Sequence, residues 1–208
     1  MPKKIVNVYI EQGDYNYKML FITLGYTVVS DFDAADLIVF TGGSDVSPHL
    51  YGDAAHRTTG NNTIRDAKEE RLFDAAQDRG VACVGICRGA QFLNVMNGGK
   101  MWQHVTNHAI GSTHEALDLL SGEEVSVTST HHQMMIPHKS GQVLMTANVA
   151  KYKQGFEKEE VGGKKPDIEA VFYPDTKSLC YQPHPEYTSP NHPCQLTYFN
   201  YIKTFFNL

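Results

Sequence analysis

The chain has 208 residues and a mass of 23.2 kDa, which fits one domain spanning residues 1–208 with a sizeable hydrophobic core. Its 41% hydrophobic and 20% charged residues exclude disordered, collagen-like and coiled-coil classes. The formal net charge of −5 and the scattered Lys and Arg residues disfavour a nucleic-acid partner, and no apolar run is long enough to predict a membrane-spanning helix.

The first half of the chain alternates short apolar strands with helices. Strands are predicted over residues 4–10, 26–30, 36–40 and 81–86. Helices are predicted after Asp14 as far as residue 24, from Thr63 as the N-cap to residue 79, and from Arg88 to the glycines at 98–99. This order of elements predicts a parallel sheet with helices on both faces.

The second half is richer in β-like segments, which lie at residues 125–129, 142–148, 168–173 and 178–182. Residues 174–177 are typical of a hairpin turn, and residues 157–165 of a solvated loop. A final helix over 191–206 is predicted to bury Leu196, Phe199, Ile202 and Phe206. We therefore expect an α/β fold with a mostly parallel central sheet and a C-terminal antiparallel addition.

The cysteines and the N-terminus predict a cytoplasmic location. The basic start of the chain leads into an apolar run that Glu11 interrupts too soon for a signal peptide. Four cysteines are present without a CxxC pair, at Cys83, Cys87, Cys180 and Cys194. We expect four reduced thiols.

One of these cysteines stands in a segment typical of a nucleophile. Gly85, Cys87 and Gly89 form a G-x-C-x-G pattern between a buried strand and a helix. Such a sharp turn requires little side-chain bulk on either side of the nucleophile, and the helix N-terminus beyond it favours a thiolate. Cys83, inside the strand, is expected to be plain core.

A thiolate nucleophile requires a base and a group that orients the base. Of the ten histidines, His184 is distinctive because prolines flank it just past a strand. Glu186 lies two residues on, close enough in an extended segment to hold the imidazole. A solvated His-Pro-Glu turn is the alternative for this segment on its own, and the presence of Cys87 favours the catalytic interpretation.

These motifs resemble the class I glutamine amidotransferase superfamily, and most closely its stand-alone γ-glutamyl hydrolase branch. That branch is peptidase C26-like and includes the γ-glutamyl-γ-aminobutyrate hydrolases. The similar blocks are residues 41–48 with 51–52, 85–91 with Asn94 and 98–99, 129–133, and 184–186. The resemblance implies a flavodoxin-like α/β fold with the site at the carboxyl ends of the parallel strands.

The resemblance also implies residue roles. Cys87 would be the nucleophile, His184 the base and then the acid, and Glu186 the orienting carboxylate. The backbone N–H groups of Gly43 and Arg88 would form the oxyanion hole.

The resemblance places a further set of residues around the glutamyl moiety of the substrate, namely Gln91, Ser129, Thr130 and His131. A glutamine on a helix surface and an ordinary strand end remain the alternative for these four positions.

The implied reaction is hydrolysis of a γ-glutamyl amide through a thioester, with no metal and no organic cofactor. A glutaminase subunit that passes ammonia to a synthase partner is the second possibility, and a non-catalytic regulatory protein on the same scaffold is the third. The chain departs from the family in its shorter length, in the region after His132, and at Pro183, where an aromatic residue is common. These departures concern the leaving group rather than the triad.

Histidine spacing offers only weak metal candidates. His104 and His108 are four residues apart and could share a helix face, but no third ligand is evident nearby. His131 and His132 would point to opposite faces of a strand. No metal site is therefore predicted.

Overall fold

A computed structural model describes residues 5–155, 159–161 and 165–208 of the protein. In chain order its helices and strands are β1 (Asn7–Glu11), α1 (Tyr15–Ile22), β2 (Thr27–Val29), β3 (Leu37–Phe40), α2 (Thr63–Asp78), β4 (Ala82–Ile86), α3 (Arg88–Met96), β5 (Lys100–Trp102), β6 (His104–Val105), β7 (Ala109–Asp118), β8 (Glu124–Thr130), β9 (Met134–Ile136), β10 (Gln142–Ala147), β11 (Tyr152–Gln154), β12 (Glu159–Val161), β13 (Asp167–Tyr173), β14 (Ser178–Tyr181) and α4 (Pro193–Phe206). Among these residues, no helix combines the length and apolar character needed to cross a membrane.

A nine-stranded mixed sheet runs through the centre in the order β2-β1-β3-β4-β14-β13-β10-β7-β8. The pairs from β2 to β14 are parallel, and those from β14 to β8 are antiparallel. The predicted α/β fold with a parallel centre is confirmed. The antiparallel part also takes in β7 and β8 from the middle of the chain, so it is not purely C-terminal.

Both faces of the parallel half are buried, as the apolar strand at 36–40 predicts. Alternate residues of β3 enter two separate cores: Leu37 and Val39 pack with α1 and α4, whereas Ile38 and Phe40 pack with α2 and α3. This alternation follows from the two-residue repeat of a strand. The result is a three-layer arrangement whose parallel strands all end at one edge.

Several predicted details are wrong. Asn62, not Thr63, caps α2, because its side chain accepts from the N–H groups of Ile64 and Arg65. Leu196 is 48% exposed because α4 turns Tyr198, Tyr201 and Ile202 to the sheet instead. The long strand β7 was not predicted, since its residues carry no apolar alternation.

The predicted solvated loop at 157–165 lies partly outside the described residues. Within it, Glu159–Val161 forms β12, which pairs with β11 in a small sheet that also contains β6. The hairpin turn at 174–177 is confirmed, with the Lys177 N–H donating to the Pro174 carbonyl at 3.2 Å.

Candidate active site

Cys87 occupies a sharp turn between β4 and α3, at the carboxyl end of a central parallel strand. Its backbone angles, φ 53° and ψ −110°, are ones that a side-chain-bearing residue rarely adopts. Its N–H donates to the Tyr181 carbonyl at 2.9 Å, which ties the turn to β14. The predicted strand–turn–helix geometry is present, with the sulfur at the N-terminus of α3.

The two glycines of the pattern are required by close backbone approach. A Cβ at Gly85 would lie 2.3 Å from the Gly89 carbonyl oxygen. A Cβ at Gly89 would lie 2.1 Å from the carbonyl oxygen of Phe40 on β3. The first turn of α3 therefore packs directly on two strands, and no side chain fits at either position.

His184 and Glu186 meet beside this turn. The Nδ1 of His184 lies 2.5 Å from Glu186 Oε1, and its backbone N–H donates to Thr128 Oγ1 at 2.6 Å. Its ring stacks on Tyr187, with centroids 4.8 Å apart. Burial favours the neutral ring, but the charges of Cys87 and Glu186 and hydrogen bonds to both outweigh it and raise the pKa of His184 to about 10. The arrangement thus favours an imidazolium beside the sulfur.

Tyr17 of α1 joins this histidine–glutamate pair to the loop after β3. The Gly42 N–H donates to its hydroxyl oxygen at 2.9 Å. Burial, then the negative charge of Glu186, raises the pKa of Tyr17, so the phenol keeps its proton. A Cβ at Gly42 would lie 2.9 Å from both Tyr17 Oη and His184 Cε1. This loop is therefore packed against the pair on one side.

Arg65 of α2 holds the same loop from the other side. Its Nη1 donates to the Gly42 carbonyl and its Nη2 to the Thr41 carbonyl, each at 2.9 Å. Gly43 has φ +142°, and a Cβ there would lie 2.2 Å from Arg65 Nη1. With both carbonyls turned towards Arg65, the glycine conformation is fixed.

The N–H groups of Gly43 and Arg88 follow adjacent parallel strands, β3 and β4. Strands in parallel register end at the same edge, so both groups lie at the edge that carries Cys87. Neither N–H donates to another group in the described part of the chain.

A buried quartet of charges lies beneath these two segments. Arg65 Nε donates to Glu69 Oε1 at 2.7 Å, and the Arg88 guanidinium contacts both Asp66 and Glu69. All four side chains are at most 8% exposed. Burial, with the charge of Arg65, lowers the pKa of Arg88 to about 10, so the residue stays charged at neutral pH. The quartet connects the loop after β3 to the residue that follows Cys87.

The four residues assigned to the glutamyl moiety do not lie in one environment. Gln91 is buried one turn after Cys87, and its amide donates to the Gln133 carbonyl and to Gln182 Oε1. Thr130 is exposed, whereas Ser129 and His131 are buried. Their contact with a substrate remains a prediction.

Ser129 and His131 belong to a second polar cluster. The cluster also contains His108, His114 and Glu169. His108 Nδ1 and His114 Nε2 lie 3.5 and 3.4 Å from Glu169 Oε1, and His131 Nε2 lies 3.9 Å from Oε2. Ser129 Oγ donates to the His108 carbonyl at 2.7 Å. Neither His104, which stacks on His56, nor His132, which pairs with Asp45, belongs to this group.

The other three cysteines are core residues. Burial raises the pKa of the Cys83 thiol to about 12 and that of Cys194 to about 11, and it also raises that of Cys180. All three side chains have no solvent exposure, in contrast to 9% for Cys87.

Residues 26–186 match the sequence profile of the peptidase C26 family, which is more than half of the chain. The chain belongs to the peptidase C26 family. This confirms the resemblance that the motifs at residues 41–48, 85–91 and 184–186 indicated.

Curated relatives of this peptidase C26 chain share about a third of its aligned residues. The glutamine amidotransferase candidate Rv2859c of Mycobacterium tuberculosis is 34% identical over 173 residues, which is 74% of this chain and 51% of that protein. The glutamine amidotransferase-like protein YvdE of Lactococcus lactis is 32% identical over 147 residues, 56% of this chain and 62% of that protein. The chain thus spans about half to three fifths of the length of these relatives.

Solved structures show the same fold at low identity. A candidate GMP synthase subunit of Thermoplasma acidophilum superposes with a TM-score of 0.68 at 15% identity, over 99% of this chain and 96% of the other. PurLQS of Thermotoga maritima gives 0.65 at 17% identity, over 98% of this chain and the whole of the other. The fold is that of class I glutamine amidotransferases.

Sequence reasoning missed the residues that reach the candidate site from outside the motifs. Arg65, Asp66 and Glu69 lie within the charged helix α2, where ion pairs four residues apart are normally solvated. Tyr17 is one aromatic residue on a short helix. Of these contacts, the sequence indicates only the ion pair between Arg65 and Glu69, through their i, i+4 spacing.

Proposed function

We propose that the protein hydrolyses a γ-glutamyl amide through a thioester on Cys87. The observation that carries this proposal is the strained turn at Cys87 together with the hydrogen-bonded His184–Glu186 pair, whose imidazole interacts with the sulfur. Peptidase C26 membership and relatives named as glutamine amidotransferases support an amide hydrolase of this class.

In the first step the Cys87 thiolate attacks the γ-carbonyl carbon. A carbon–sulfur bond forms, and the carbonyl electron pair moves to oxygen, where the N–H groups of Gly43 and Arg88 stabilise the negative charge. The intermediate collapses with cleavage of the carbon–nitrogen bond, and the imidazolium of His184 gives its proton to the leaving nitrogen. The raised pKa of His184 supports this role, because the proton is present before the attack.

In the second step a water molecule attacks the thioester. His184, now neutral, accepts the proton from this water as a new carbon–oxygen bond forms, and the carbon–sulfur bond breaks to regenerate the thiolate. Glutamate leaves, and the imidazolium is restored. Glu186 keeps Nδ1 of His184 hydrogen-bonded throughout, so that Nε2 stays directed at the reacting atoms.

Covalent labelling with a diazoketone analogue of glutamine tests the thioester and its γ-position together. Intact-mass spectrometry should show one adduct, on Cys87, and the analogue one methylene shorter should react far more slowly because its carbonyl stops short of the sulfur. Cys87→Ala should abolish labelling, and Cys194→Ala, a matched buried thiol, should retain it. Equal labelling by the two analogues, or labelling that survives Cys87→Ala, would refute the proposal.

The leaving group is then identified by screening γ-glutamyl amides and amines, including glutamine, for release of glutamate. The chain folds like the candidate GMP synthase subunit over nearly the whole length of both proteins. This similarity favours a second candidate function, that of a glutaminase that works with a synthase. For that candidate we expect glutamine to be hydrolysed slowly by the isolated chain and faster with a synthase partner. High turnover of one γ-glutamyl amine without a partner would exclude it. A non-catalytic role would require that no γ-glutamyl compound be turned over.

A further inference from the structure

In the second polar cluster, the fully buried carboxylate of Glu169 has no hydrogen-bond donor within the described ranges, and histidine nitrogens surround it. Among the described residues, both oxygens of Glu169, Nε2 of His114 and Nε2 of His131 are buried without a hydrogen-bond partner. Glu169 has no solvent exposure, and His131 is 3% exposed. Unsatisfied buried polar atoms are rare in folded proteins, and four of them around one point require an explanation.

The opposite ring nitrogens determine where the protons are. His131 Nδ1 lies 2.8 Å from the Gln133 carbonyl oxygen, and His114 Nδ1 lies 3.0 Å from the Glu115 carbonyl oxygen. Carbonyl oxygens only accept, so each of these nitrogens carries the hydrogen of its ring. In the neutral rings, which are the forms that bind metals, the Nε2 atoms that face Glu169 therefore present lone pairs.

His108 shows the same pattern with its nitrogens exchanged. Its Nε2 lies 3.0 Å from Asp167 Oδ2, and this carboxylate also accepts from Lys153 Nζ at 2.8 Å. The Nδ1 of His108 is thus left as a lone pair towards Glu169. The Ser129 hydroxyl, which lies beside this nitrogen, donates its hydrogen to the His108 carbonyl instead. Histidines that bind metals commonly donate their second N–H to a carboxylate or a backbone carbonyl, as all three rings do here.

The distances fit a shared cation better than hydrogen bonds. The 3.4 and 3.5 Å separations from Glu169 Oε1 exceed the roughly 2.7–3.2 Å of an N–H···O bond. With metal–nitrogen and metal–oxygen bonds of about 2.0–2.1 Å, a tetrahedral site places its ligand atoms about 3.3 Å apart. One ligand atom each from His108, His114 and Glu169 lies within 4.8 Å of the other two.

We propose that this cluster is a zinc site, with His108 Nδ1, His114 Nε2 and Glu169 as ligands and His131 Nε2 as the fourth donor. Three imidazoles and one carboxylate suit a tetrahedral Zn²⁺ ion. Four protein donors leave no open position, which is typical of a structural site. The side chain of His114, 8% exposed and on β7 beside the edge strand β8, gives the ion a route from solvent.

The ion would stabilise one wall of the candidate active site. His131 is fixed at Nε2 by the metal and donates from Nδ1 to the Gln133 carbonyl. The same carbonyl accepts from Gln91, one helical turn after Cys87, at 3.3 Å. The zinc site is distinct from the thioester chemistry and does not depend on it.

Metal content and affinity provide the test. Protein purified without a metal-affinity tag, stripped with a chelator and reloaded with ZnSO₄, should retain about one zinc ion per chain by plasma mass spectrometry after gel filtration. Co²⁺ in its place should give the visible bands of tetrahedral coordination. His114→Gln should lower the zinc affinity at least 100-fold in a competition titration with a chromophoric chelator. His49→Gln, which removes an exposed histidine far from the cluster in sequence, should bind like the wild type.

Glu169→Gln keeps the size of the side chain and distinguishes lost binding from lost folding. The wild type should melt several degrees lower in EDTA than in zinc, because the ion stabilises only the folded state. Glu169→Gln should melt at the same temperature in both, since the ligand charge is gone. Zinc binding of equal affinity in wild type, His114→Gln and Glu169→Gln, or no zinc retained by the wild type, would overturn the proposal.

Discussion

Replacing Gly89 by alanine should destabilise the fold at the point where α3 meets β3. The added Cβ would lie 2.1 Å from the Phe40 carbonyl oxygen and 2.4 Å from its carbonyl carbon. Both are backbone atoms of a strand that is paired on either side, with β1 and with β4, so they cannot move away cheaply. Overpacking costs roughly 1–3 kcal/mol when side chains can adjust, and we expect about 3 kcal/mol here. For a chain of this length that lowers the melting temperature by about 6–12 °C.

Gly60→Ala provides the matched control. A Cβ at Gly60 has nothing within 4 Å, and alanine reduces the entropy of the unfolded chain, so this variant should be unchanged or slightly more stable. Melting curves and urea titrations of both variants beside the wild type measure the difference. An insoluble Gly89→Ala beside a soluble Gly60→Ala agrees with the reasoning. Melting temperatures of the two variants within about 2 °C of each other would refute it, because a clash with backbone atoms cannot be that cheap.

Three further predictions concern the candidate site. Iodoacetamide at neutral pH should label Cys87 before the three core cysteines, and peptide mapping that shows one of the others labelled first would count against the turn geometry. His184→Gln should reduce turnover by several orders of magnitude. It should also flatten the pH dependence of stability: with the pKa of His184 raised to about 10, the wild type has its full stabilisation below about pH 6.5 and loses it towards pH 10. Urea titrations at pH 6, 8 and 10 in which the free energy of unfolding changes equally with pH in the two proteins would contradict this. Tyr17→Phe should lower kcat about 10-fold or more with little change in KM and shift the acid limb of the pH–rate profile, because the Gly42 N–H loses its acceptor and the phenol is removed from beside Glu186. An unchanged pH profile would assign Tyr17 a packing role alone.

Features of this protein that depend on residues close together in the chain can be predicted from the amino-acid sequence. The glycines two residues on either side of Cys87, the two-residue step from His184 to Glu186, and the apolar strand at 36–40 each express a local geometric requirement. A sharp turn, an extended pair and a strand buried on both faces can be deduced from a few adjacent residues. For that reason the parallel sheet, the turn and the histidine–glutamate pair were predictable at their places.

Which distant side chains share a buried environment depends on how the whole chain folds. His108, just before β7, and Glu169, on β13, come within 3.5 Å of each other although they lie in distant parts of the sequence, and no local pattern encodes that contact. Similarly, Arg88 pairs with Asp66 and Glu69 only once α2 lies beside the start of α3. The physical reason is that local preferences act over a few residues, whereas the burial of a charge or a lone pair depends on what the rest of the chain places opposite it.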